Sequence, residues 1–566
     1  MRSGTWIIAC AMLMSCNEPD PIDPPPDGGV RATLTEAWAS STFPGCTYAS
    51  PVVAMSGEQE IILATDQFGR VSALDPDDGT SLWDFDLPRE DSEAVLDNLA
   101  TPGIIDGGHA AIVGWQEVDS RVRTRTRLAV VDLDAGALHA DYPLFDVSAQ
   151  FPAYDGSTIN YDATYQLLRS EIVVRDRRAY VAMGNGPSVQ PFHGWIFELD
   201  LDAWQTDGGG SAIGAVFNTS ATNDCGAPGN RSGRSCGAGV WNAAGVQLID
   251  EPDGSYSILF ATGNGRLDYT QNSYAYSALR LPPGLTFDRG CDETLCEAFD
   301  PLDAPVDCLA SCENVFSAHL PPGETVDPED GICDGLEYTE CLHVLDGDLG
   351  ASMPVVVQPE GGPRVVVQPG KDGAIYLLDY ERLGTMYQRL QLMDFCGTPD
   401  DECRAFWIGT LVTHPAVTMI DGDPVIVVAS VMADNTHPSG ISALRVIMQA
   451  GEPRLELMWQ VPEADSQEAK EIFRHHPGRP IIVDVDGEPF VFVVETRRGS
   501  GTHAPPGVLW GVRVRDGWNA VREPIPNAGQ RFAVPLVHNE RMYITTCNVR
   551  AEAEGQIVAY DIAGSR

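Results

Sequence analysis

SPVVAMSGEQEIILATDQFGRVSALDPDDGTSLWDFDL, from Ser50 to Leu87, is the most informative stretch for the fold, because weaker copies of its plan recur to the C-terminus. The plan is a Pro-plus-aliphatic run, a second run before a polar turn, and a third run that ends in Leu-Asp or its equivalent and a Gly turn. Seven further copies begin at Thr101, Ser170, Ala243, Met353, His414, Arg479 and Val534. Each run is short, β-branched and flanked by Gly, Pro, Asp or Asn, which is typical of antiparallel strands.

A repeated unit of about four strands in a chain of 566 residues predicts an all-β fold, an eight-bladed β-propeller of four-stranded antiparallel blades. The last copy ends at AYDIAGSR, with no room for an outer strand. The segment from Ala32 to Trp38, ATLTEAW, precedes the first copy and resembles an outer strand. We therefore expect this N-terminal strand to complete the final blade, within a propeller of residues 32–566, and to hide the edges of an open sheet.

The N-terminus has the pattern of an export signal. Residues 1–15 contain Arg2 and an apolar stretch too short to span a bilayer, which predicts a signal peptide. The Leu-x-Ser-Cys ending resembles a lipobox, so we expect lipidation of Cys16, with an ordinary secretion signal as the alternative. Residues 16–31 are Pro-rich and acidic, which suits an extended tether. The expected location is the bacterial cell envelope, on the periplasmic or surface face of the outer membrane, with membrane contact only through the lipid.

The cysteine content agrees with export. Of 14 cysteines, loss of Cys10 with the signal and lipidation of Cys16 leave twelve, an even number that favours disulfides in an oxidising compartment. Candidate local pairs are Cys225 with Cys236 and Cys396 with Cys403, and a Cys46–Cys547 bond could close the ring. Six more cysteines lie between positions 291 and 341, within an acidic insertion of residues 286–346 that has no clear strand pattern and that we expect to be a loop subdomain held by disulfides. A zinc site there is disfavoured because paired CxxC motifs are absent, and the absence of CxxCH excludes attached c-type haem.

The charge balance excludes some partners. The formal net charge is −45 and the pI about 4.3. Nucleic acids and anionic lipid surfaces would be repelled by such a chain, whereas divalent cations would be attracted.

Polar residues at the predicted propeller mouth form the candidate site. The turns that enter the innermost strands and those that join the second strand to the third lie on one face, which suits ligand binding but is also expected of ordinary turns. These positions include Trp115, Gln116, Asn185, Asn264, Asp346, Asp348, Lys371, Asp372, His414, His475, His476, Arg497 and Asn548. A hydrolase that uses the histidines as bases is a weaker hypothesis, because no GxSxG motif accompanies them.

Three central segments carry a family resemblance. CGAGVWNAAGVQLIDEPDGSYSILFATGNG from Cys236, then LDGDLGASMPVVV, then VVVQPGKDGAIYLLD resemble, in this order, the PQQ-type propeller repeats of bacterial quinoproteins. The resemblance implies that Trp241 lies beneath a quinone, that Asn264 ligates calcium, and that Asp346 is a catalytic base, with Asp348 two residues on. It also implies that Lys371 contacts the quinone, and Asp372 in the same turn is a further candidate for cofactor binding.

Two departures from the family pattern bear on function. The family's glutamate ligand of calcium is expected between Asn185 and His193, where the sequence has no carboxylate, and the adjacent Cys-Cys pair is absent. Two hypotheses follow. The first is a monomeric envelope lipoprotein that binds a protein or polymer at the propeller mouth. The alternative is a PQQ- and calcium-dependent dehydrogenase of alcohols or polyols, whose electrons leave to a separate carrier.

Overall fold

The computed structural model describes residues 28–565 apart from 92–93, 185–189, 226–235, 298, 301–304, 322–323, 325–335, 345, 394–410, 432–439, 463–472, 474–475, 497–506, 530–532 and 549–553. The predicted signal peptide, Cys16, most of the tether and the Cys396–Cys403 pair lie outside the described residues, as do Asn185, His475 and Arg497. In the part of the chain that is described, no helix is long and apolar enough to cross a bilayer.

Eight antiparallel sheets follow one another along the chain, which confirms the eight-bladed propeller. From inner to outer strand, the first blade consists of Val52–Ser56, Gln59–Thr65, Arg70–Leu74 and Ser81–Asp86. The second consists of Gly103–Ile105, Ala110–Asp119, Val122–Asp132 and Ala137–Leu138, with Val95–Asp97 and Phe145–Asp146 added. The third consists of Val173–Arg175, Arg178–Met183, Trp195–Asp200 and Ile213–Asn218, and the fourth of Gln247–Asp250, Tyr256–Ala261, Ser277–Leu281 and Val315–Ser317.

The remaining blades complete the ring. The fifth blade consists of Val355–Val357, Val365–Pro369, Ala374–Asp379 and Met386–Gln391, and the sixth of Ala416–Ile420, Asp423–Ser430, Gly440–Gln449 and Glu452–Val461. The seventh consists of Ile481–Val485, Glu488–Val494, Val508–Arg513 and Asn519–Pro524. The eighth consists of Leu536–His538, Arg541–Asn548, Glu554–Ser565 and Arg31–Ala39, with Ala528–Gly529 added. Two small hairpins lie between blades, one formed by Gln150–Pro152 with Thr158–Asn160 and the other by Leu267–Asp268 with Ser273–Tyr274. The α-helices of the described residues are Leu201–Asp207, Glu293–Cys296, Val306–Ser311 and Tyr338–Val344.

The core is a ring of apolar layers between neighbouring blades. In the first blade Ile61 and Leu63 pack toward the second blade, whereas Ile62 packs toward the eighth. Side chains alternate in this way because successive residues of a strand point to opposite faces of the sheet. Central strands that are buried on both faces therefore appear in the sequence as continuous aliphatic runs.

A tryptophan on an outer strand joins each of three blade pairs. Trp38 of the eighth blade covers Gly79 in a turn of the first blade, and a Cβ on Gly79 would lie 2.3 Å from the indole. The Trp38 Nε1 donates to the backbone oxygen of Pro76, 3.0 Å away. The same joint recurs for Trp83 on Gly136 and for Trp459 on Gly517. Each of these glycines also has a positive φ, so glycine is required both for space and for backbone conformation.

The N-terminal strand closes the ring as predicted. Arg31–Ala39 is the outermost strand of the last blade and pairs antiparallel with Glu554–Ser565. The structure also joins Cys46 to Cys547, which lie 501 positions apart in the chain. Closure through both contacts covers the sheet edge that an open propeller would expose.

The cysteine-rich segment differs from the expectation of a loop without strands. Val315–Ser317, within residues 286–346, is the outer strand of the fourth blade and pairs with Ser277–Leu281. A strand of three residues is too short to give a periodic signal in the sequence. Two disulfides, Cys291–Cys312 and Cys296–Cys308, hold the helices beside it. Cys291, Cys296 and Cys312 lie close together, but sulfurs joined in disulfides are not thiolate ligands for zinc.

Candidate functional site

Five residues singled out in the sequence meet at one place in the propeller mouth, between the fourth and fifth blades. Trp241 and the pair Asp346 and Asp348 lie in the loops that enter the inner strands of these blades. Asn264 and Lys371 lie in the turns that follow their second strands. The two kinds of turn lie at the same end of every blade, which brings residues more than a hundred positions apart into contact.

The centre of the site is a lysine between two carboxylates. Lys371 Nζ donates to Asp346 Oδ2 at 2.8 Å and to Asp348 Oδ2 at 3.0 Å. The side chains of Lys371 and Asp348 are each 4% exposed, and that of Asp346 is 30% exposed. The Lys371 backbone N–H also donates to the backbone carbonyl oxygen of Asp348, at 3.1 Å. Only Asp346 therefore presents a substantial polar surface to solvent from this trio.

Asn264 completes the polar cluster from the fourth blade. Its side-chain Nδ2 donates to Asp346 Oδ1 at 2.7 Å, and its backbone N–H donates to Asp348 Oδ1. The preceding Gly263 allows this approach, because a Cβ there would lie 2.9 Å from Trp241 Nε1 and 3.0 Å from Asp348 Oδ1. The Thr-Gly-Asn turn thus fixes both carboxylates from the side opposite to the lysine.

Burial and charge together set the protonation of the cluster. Burial raises the pKa of Asp348 from its ordinary 3.8 to about 6, against the opposing effect of Lys371. Burial alone would lower the pKa of Lys371, but the charges of Asp348 and Asp346 outweigh it, and the pKa lies above its ordinary value. Lys371 is therefore a permanent cation at neutral pH.

The Trp241 indole is enclosed by cations and aliphatic side chains. Its ring centroid lies 4.5 Å from Arg169 Cζ and 5.2 Å from Lys371 Nζ, and Arg169 Nε donates to the Trp241 backbone oxygen at 2.8 Å. The residue is only 9% exposed and packs with Ala351 and two valines, Val412 and Val431. Cations at these distances from an indole are favourable. Sequence reasoning did not identify Arg169, which lies on another loop and is part of no motif.

A disulfide holds the segment that carries Trp241. Cys236, bonded to Cys225 as the sequence favoured, begins the run that leads to Trp241. Within this run the Ala238 N–H donates to the backbone oxygen of Asn264 at 2.8 Å. Thr219 Oγ1 donates to the backbone oxygen of Ala238 at 2.7 Å. His193 Nε2 lies 3.6 Å from Cys225 Sγ, and since both cysteines are in the disulfide, this group does not form a thiolate metal site.

Asp372 lies next to Lys371 in the chain but outside the cluster. Its Oδ2 accepts from Tyr376 OH at 2.6 Å and from Tyr338 OH, and Arg389 Nη2 lies 3.6 Å away. The side chain therefore points into the fifth blade, where it fastens the helix Tyr338–Val344. This geometry differs from the cofactor contact that the resemblance implied, because adjacent residues of a turn point in different directions.

The other described candidate residues at the mouth have their own contacts, apart from the cluster around Lys371. Gln116 is buried, with Nε2 donating to Thr126 Oγ1 at 2.9 Å, and holds the loop at Leu168, whose N–H donates to Gln116 Oε1 at 3.1 Å. Burial lowers the pKa of His414 to about 3, with a further contribution from the charge of Arg479. His414 is therefore neutral at physiological pH. Trp115 and His476 are buried as well.

As arranged, these residues do not fit calcium. Calcium takes six to eight oxygen ligands at roughly 2.4 Å, whereas here the lysine ammonium lies between the two carboxylates where such an ion would be held. The quinone fits no better. A flat tricyclic ring needs an open indole face, and Trp241 has little exposed surface beneath its cations.

No protein-family model and no curated protein matches this sequence. Among solved structures, the chain is similar to a quinohemoprotein alcohol dehydrogenase from Pseudomonas putida HK5, with 14% identity over 94% of this chain and 77% of that one, and a TM-score of 0.53. A europium-containing methanol dehydrogenase gives 11% identity, 93% coverage of each chain and a TM-score of 0.53. BamB from Moraxella catarrhalis gives 12% identity over 94% of this chain and all of that one, with a TM-score of 0.45. Such identities show fold alone: the chain is an eight-bladed β-propeller, similar in fold to the quinohemoprotein alcohol dehydrogenase.

Proposed function

We propose that the protein is a binding or scaffold lipoprotein of the bacterial cell envelope, with its ligand site at the propeller mouth. The observation that carries this proposal is the Lys371 bridge between Asp346 and Asp348. A lysine in this position neutralises one of the two carboxylates and occupies the place of a divalent cation. The cluster is then a preformed polar surface for recognition, and its partner is an envelope protein or polymer.

The same bridge argues against a catalytic base here. A general base must be within reach of a substrate proton and able to accept it. Asp348 is buried and accepts hydrogen bonds from Lys371 and Asn264. Asp346, although more exposed, accepts from the side chains of the same two residues. These hydrogen bonds occupy all four oxygens of the two carboxylates, so a substrate hydroxyl would have to displace one of them to reach a base.

A dehydrogenase is the second candidate, and one observation favours it. Trp241, Asn264, Asp346, Asp348 and Lys371 were assigned around one cofactor by the resemblance, and they meet in one cluster. In this reading the loops would have to open to admit PQQ above Trp241 and calcium between the carboxylates. Asp346, the more exposed of the two, would be the residue that receives the substrate proton.

Titration with PQQ and calcium separates the two candidates. The full-length protein in detergent is titrated with PQQ at about 1 mM calcium, the upper range for weak extracellular sites, and absorbance and melting temperature are followed. We expect no stoichiometric binding in the wild type. Binding that is lost in both Trp241→Ala and Asn264→Ala would overturn the scaffold proposal and establish the dehydrogenase. Arg515→Met, at an exposed site on the seventh blade, is the control.

The anchor has its own test. On expression in a diderm bacterium, the wild type is expected in the membrane fraction with a lipid mass on its N-terminal cysteine, and Cys16→Ser in the soluble exported fraction. A wild type that is soluble and without lipid would show that the ordinary secretion signal is correct.

A further inference from the structure

An ion pair crosses the propeller channel at the mouth. Glu171 lies just before the inner strand of the third blade, and Arg479 just before that of the seventh. In a ring of eight blades the third and seventh face each other, so these side chains approach from opposite sides of the axis. Arg479 Nη1 lies 3.4 Å from Glu171 Oε2.

Arg479 has fewer acceptors than a buried guanidinium needs. Its side chain is 14% exposed, and the Glu171 contact is the one acceptor that the described residues offer to its five N–H groups. Its Nε is fully buried and donates to no described acceptor. The nearby His414 is neutral, and when protonated it would add positive charge, so it provides no counter-charge. Buried donors are normally satisfied, and an unsatisfied one indicates a bound water, ion or ligand.

The partner carboxylate is the more exposed member of the pair. Glu171 is 36% exposed and can turn toward solvent, whereas Arg479 is confined. Burial also raises the pKa of Glu171 and lowers that of Arg479, so each charge is poorly stabilised by the other. A planar oxyanion would match the guanidinium fork with two parallel hydrogen bonds, which the 3.4 Å contact with Glu171 does not provide.

We propose that Arg479 anchors an oxyanion subsite on the propeller axis, which takes a carboxylate or phosphate group of the ligand and displaces Glu171. The subsite rests on the proposed function and names the chemistry of its ligand. The same loop carries a second cation, Arg169, which is two residues from Glu171 and stacked on Trp241. These local cations offset the net charge of −45, which by itself would keep anions away.

The test is titration of the full-length protein with sodium acetate and, separately, sodium phosphate, by calorimetry at constant pH and ionic strength. One of these anions is expected to bind, and which one identifies the group as carboxylate or phosphate. Arg479→Met should weaken binding at least about tenfold, or ~1.4 kcal/mol. Glu171→Gln removes the competing carboxylate and should tighten binding by a similar factor. Arg515 lies in the turn between the third and fourth strands of the same blade and has two ion-pair partners, so Arg515→Met should bind as the wild type does.

Two results would overturn the subsite: binding of neither anion by the wild type and Glu171→Gln, or equal binding by the wild type and Arg479→Met. If Arg479→Met does not fold, Glu171→Gln decides, since unchanged affinity in that variant contradicts the competition. The titration contains no PQQ and no calcium. If no anion binds, the scaffold proposal therefore still stands. If the wild type binds PQQ, the scaffold proposal is overturned, but the result of the anion titration is unaffected.

Discussion

At the scale of single residues, the identity of Lys371 is informative. Only two of the 36 Lys and Arg residues are lysines, Lys371 and Lys470, and the first of them is buried between two carboxylates. An ammonium is a compact point charge with three donors, which can bridge two carboxylates at 2.8 and 3.0 Å. A planar guanidinium is larger and prefers to bind one carboxylate with two bonds. The scarcity of lysine in the chain is a sequence signal for this site.

Removal of the ammonium should destabilise the fold. Lys371→Met leaves Asp348 buried without its counter-charge, and we expect a loss of about 3–5 kcal/mol in unfolding free energy, measured with urea. The double variant Lys371→Met with Asp348→Asn removes both charges and should recover part of this loss. A single variant within about 1 kcal/mol of the wild type would show that the bridge is not formed.

The pH dependence of stability should carry the signature of Asp348. Its pKa in the folded protein is about 6, above the ordinary 3.8. The folded state therefore holds the proton more tightly, and this group adds stability that is complete below pH ~4 and is lost as the pH rises through about 6. Between these values the wild type should lose up to roughly 3 kcal/mol more than Asp348→Asn. The unfolding free energy of each protein is measured with urea at each pH. Curves of this free energy against pH that run parallel for the wild type and Asp348→Asn would contradict the raised pKa of Asp348.

The resemblance identified the residues of this cluster, but spacing could not predict their contacts. The five residues were named from motifs that stand in order along the chain. Arg169 on Trp241, and the Glu171–Arg479 pair, join loops that are far apart in sequence and belong to no motif. Asp372 shows the converse, because a residue adjacent to Lys371 points into the blade. Side-chain direction within a turn depends on tertiary packing, which the sequence pattern does not contain.

At the scale of elements, the tryptophan-on-glycine joints explain the sequence repeat. The first copy ends in ALDPDDGTSLW, and the structure places its glycine, Gly79, under the tryptophan of the preceding blade in the ring, Trp38. Its own tryptophan, Trp83, covers Gly136 of the next blade. The repeat thus encodes contacts between blades as well as strands within one. The strands were predictable from their aliphatic runs, whereas Val315–Ser317 was not, because its three residues follow a helix and disulfides.

A glycine of such a joint should be far less tolerant than one in an open turn. In Gly517→Ala the Cβ would lie 2.8 Å from Trp459, at a φ of +75°, and we expect a loss of about 2–4 kcal/mol. Gly487 in the same blade has a similar φ of +83° with no atom within 4 Å of a Cβ. Gly487→Ala should therefore cost only the backbone term, about 1 kcal/mol. Equal melting temperatures for the two variants would show that the packing of Trp459 on Gly517 does not restrict this position.

At the scale of the whole molecule, the ends of the chain determine closure. The short last copy and the extra strand before the first were enough to predict that the N-terminal strand completes the eighth blade. The structure adds a disulfide between Cys46 and Cys547 beside this strand. A bond across 501 positions restricts the unfolded chain strongly, which stabilises the closed ring.

Loss of this bond should weaken the whole ring. Cys46→Ser combined with Cys547→Ser is expected to cost up to about 5 kcal/mol in the free energy of unfolding. Cys296→Ser with Cys308→Ser, whose bond closes a separation of only 12, should cost less. A larger effect from the second pair, in urea unfolding of the oxidised proteins, would contradict the role of the first pair in closure.

A lysine, and not a metal ion, lies between Asp346 and Asp348. Because the chain has two lysines, the most direct measurement is NMR of full-length protein labelled only at lysine, with Lys371→Met to assign the two signals. We predict that the Lys371 signal shows a charged, solvent-protected ammonium at neutral pH and does not move on addition of PQQ and calcium at about 1 mM. A Lys371 signal that shifts stoichiometrically under those conditions would show that the ion and the quinone take this site, and would contradict the account.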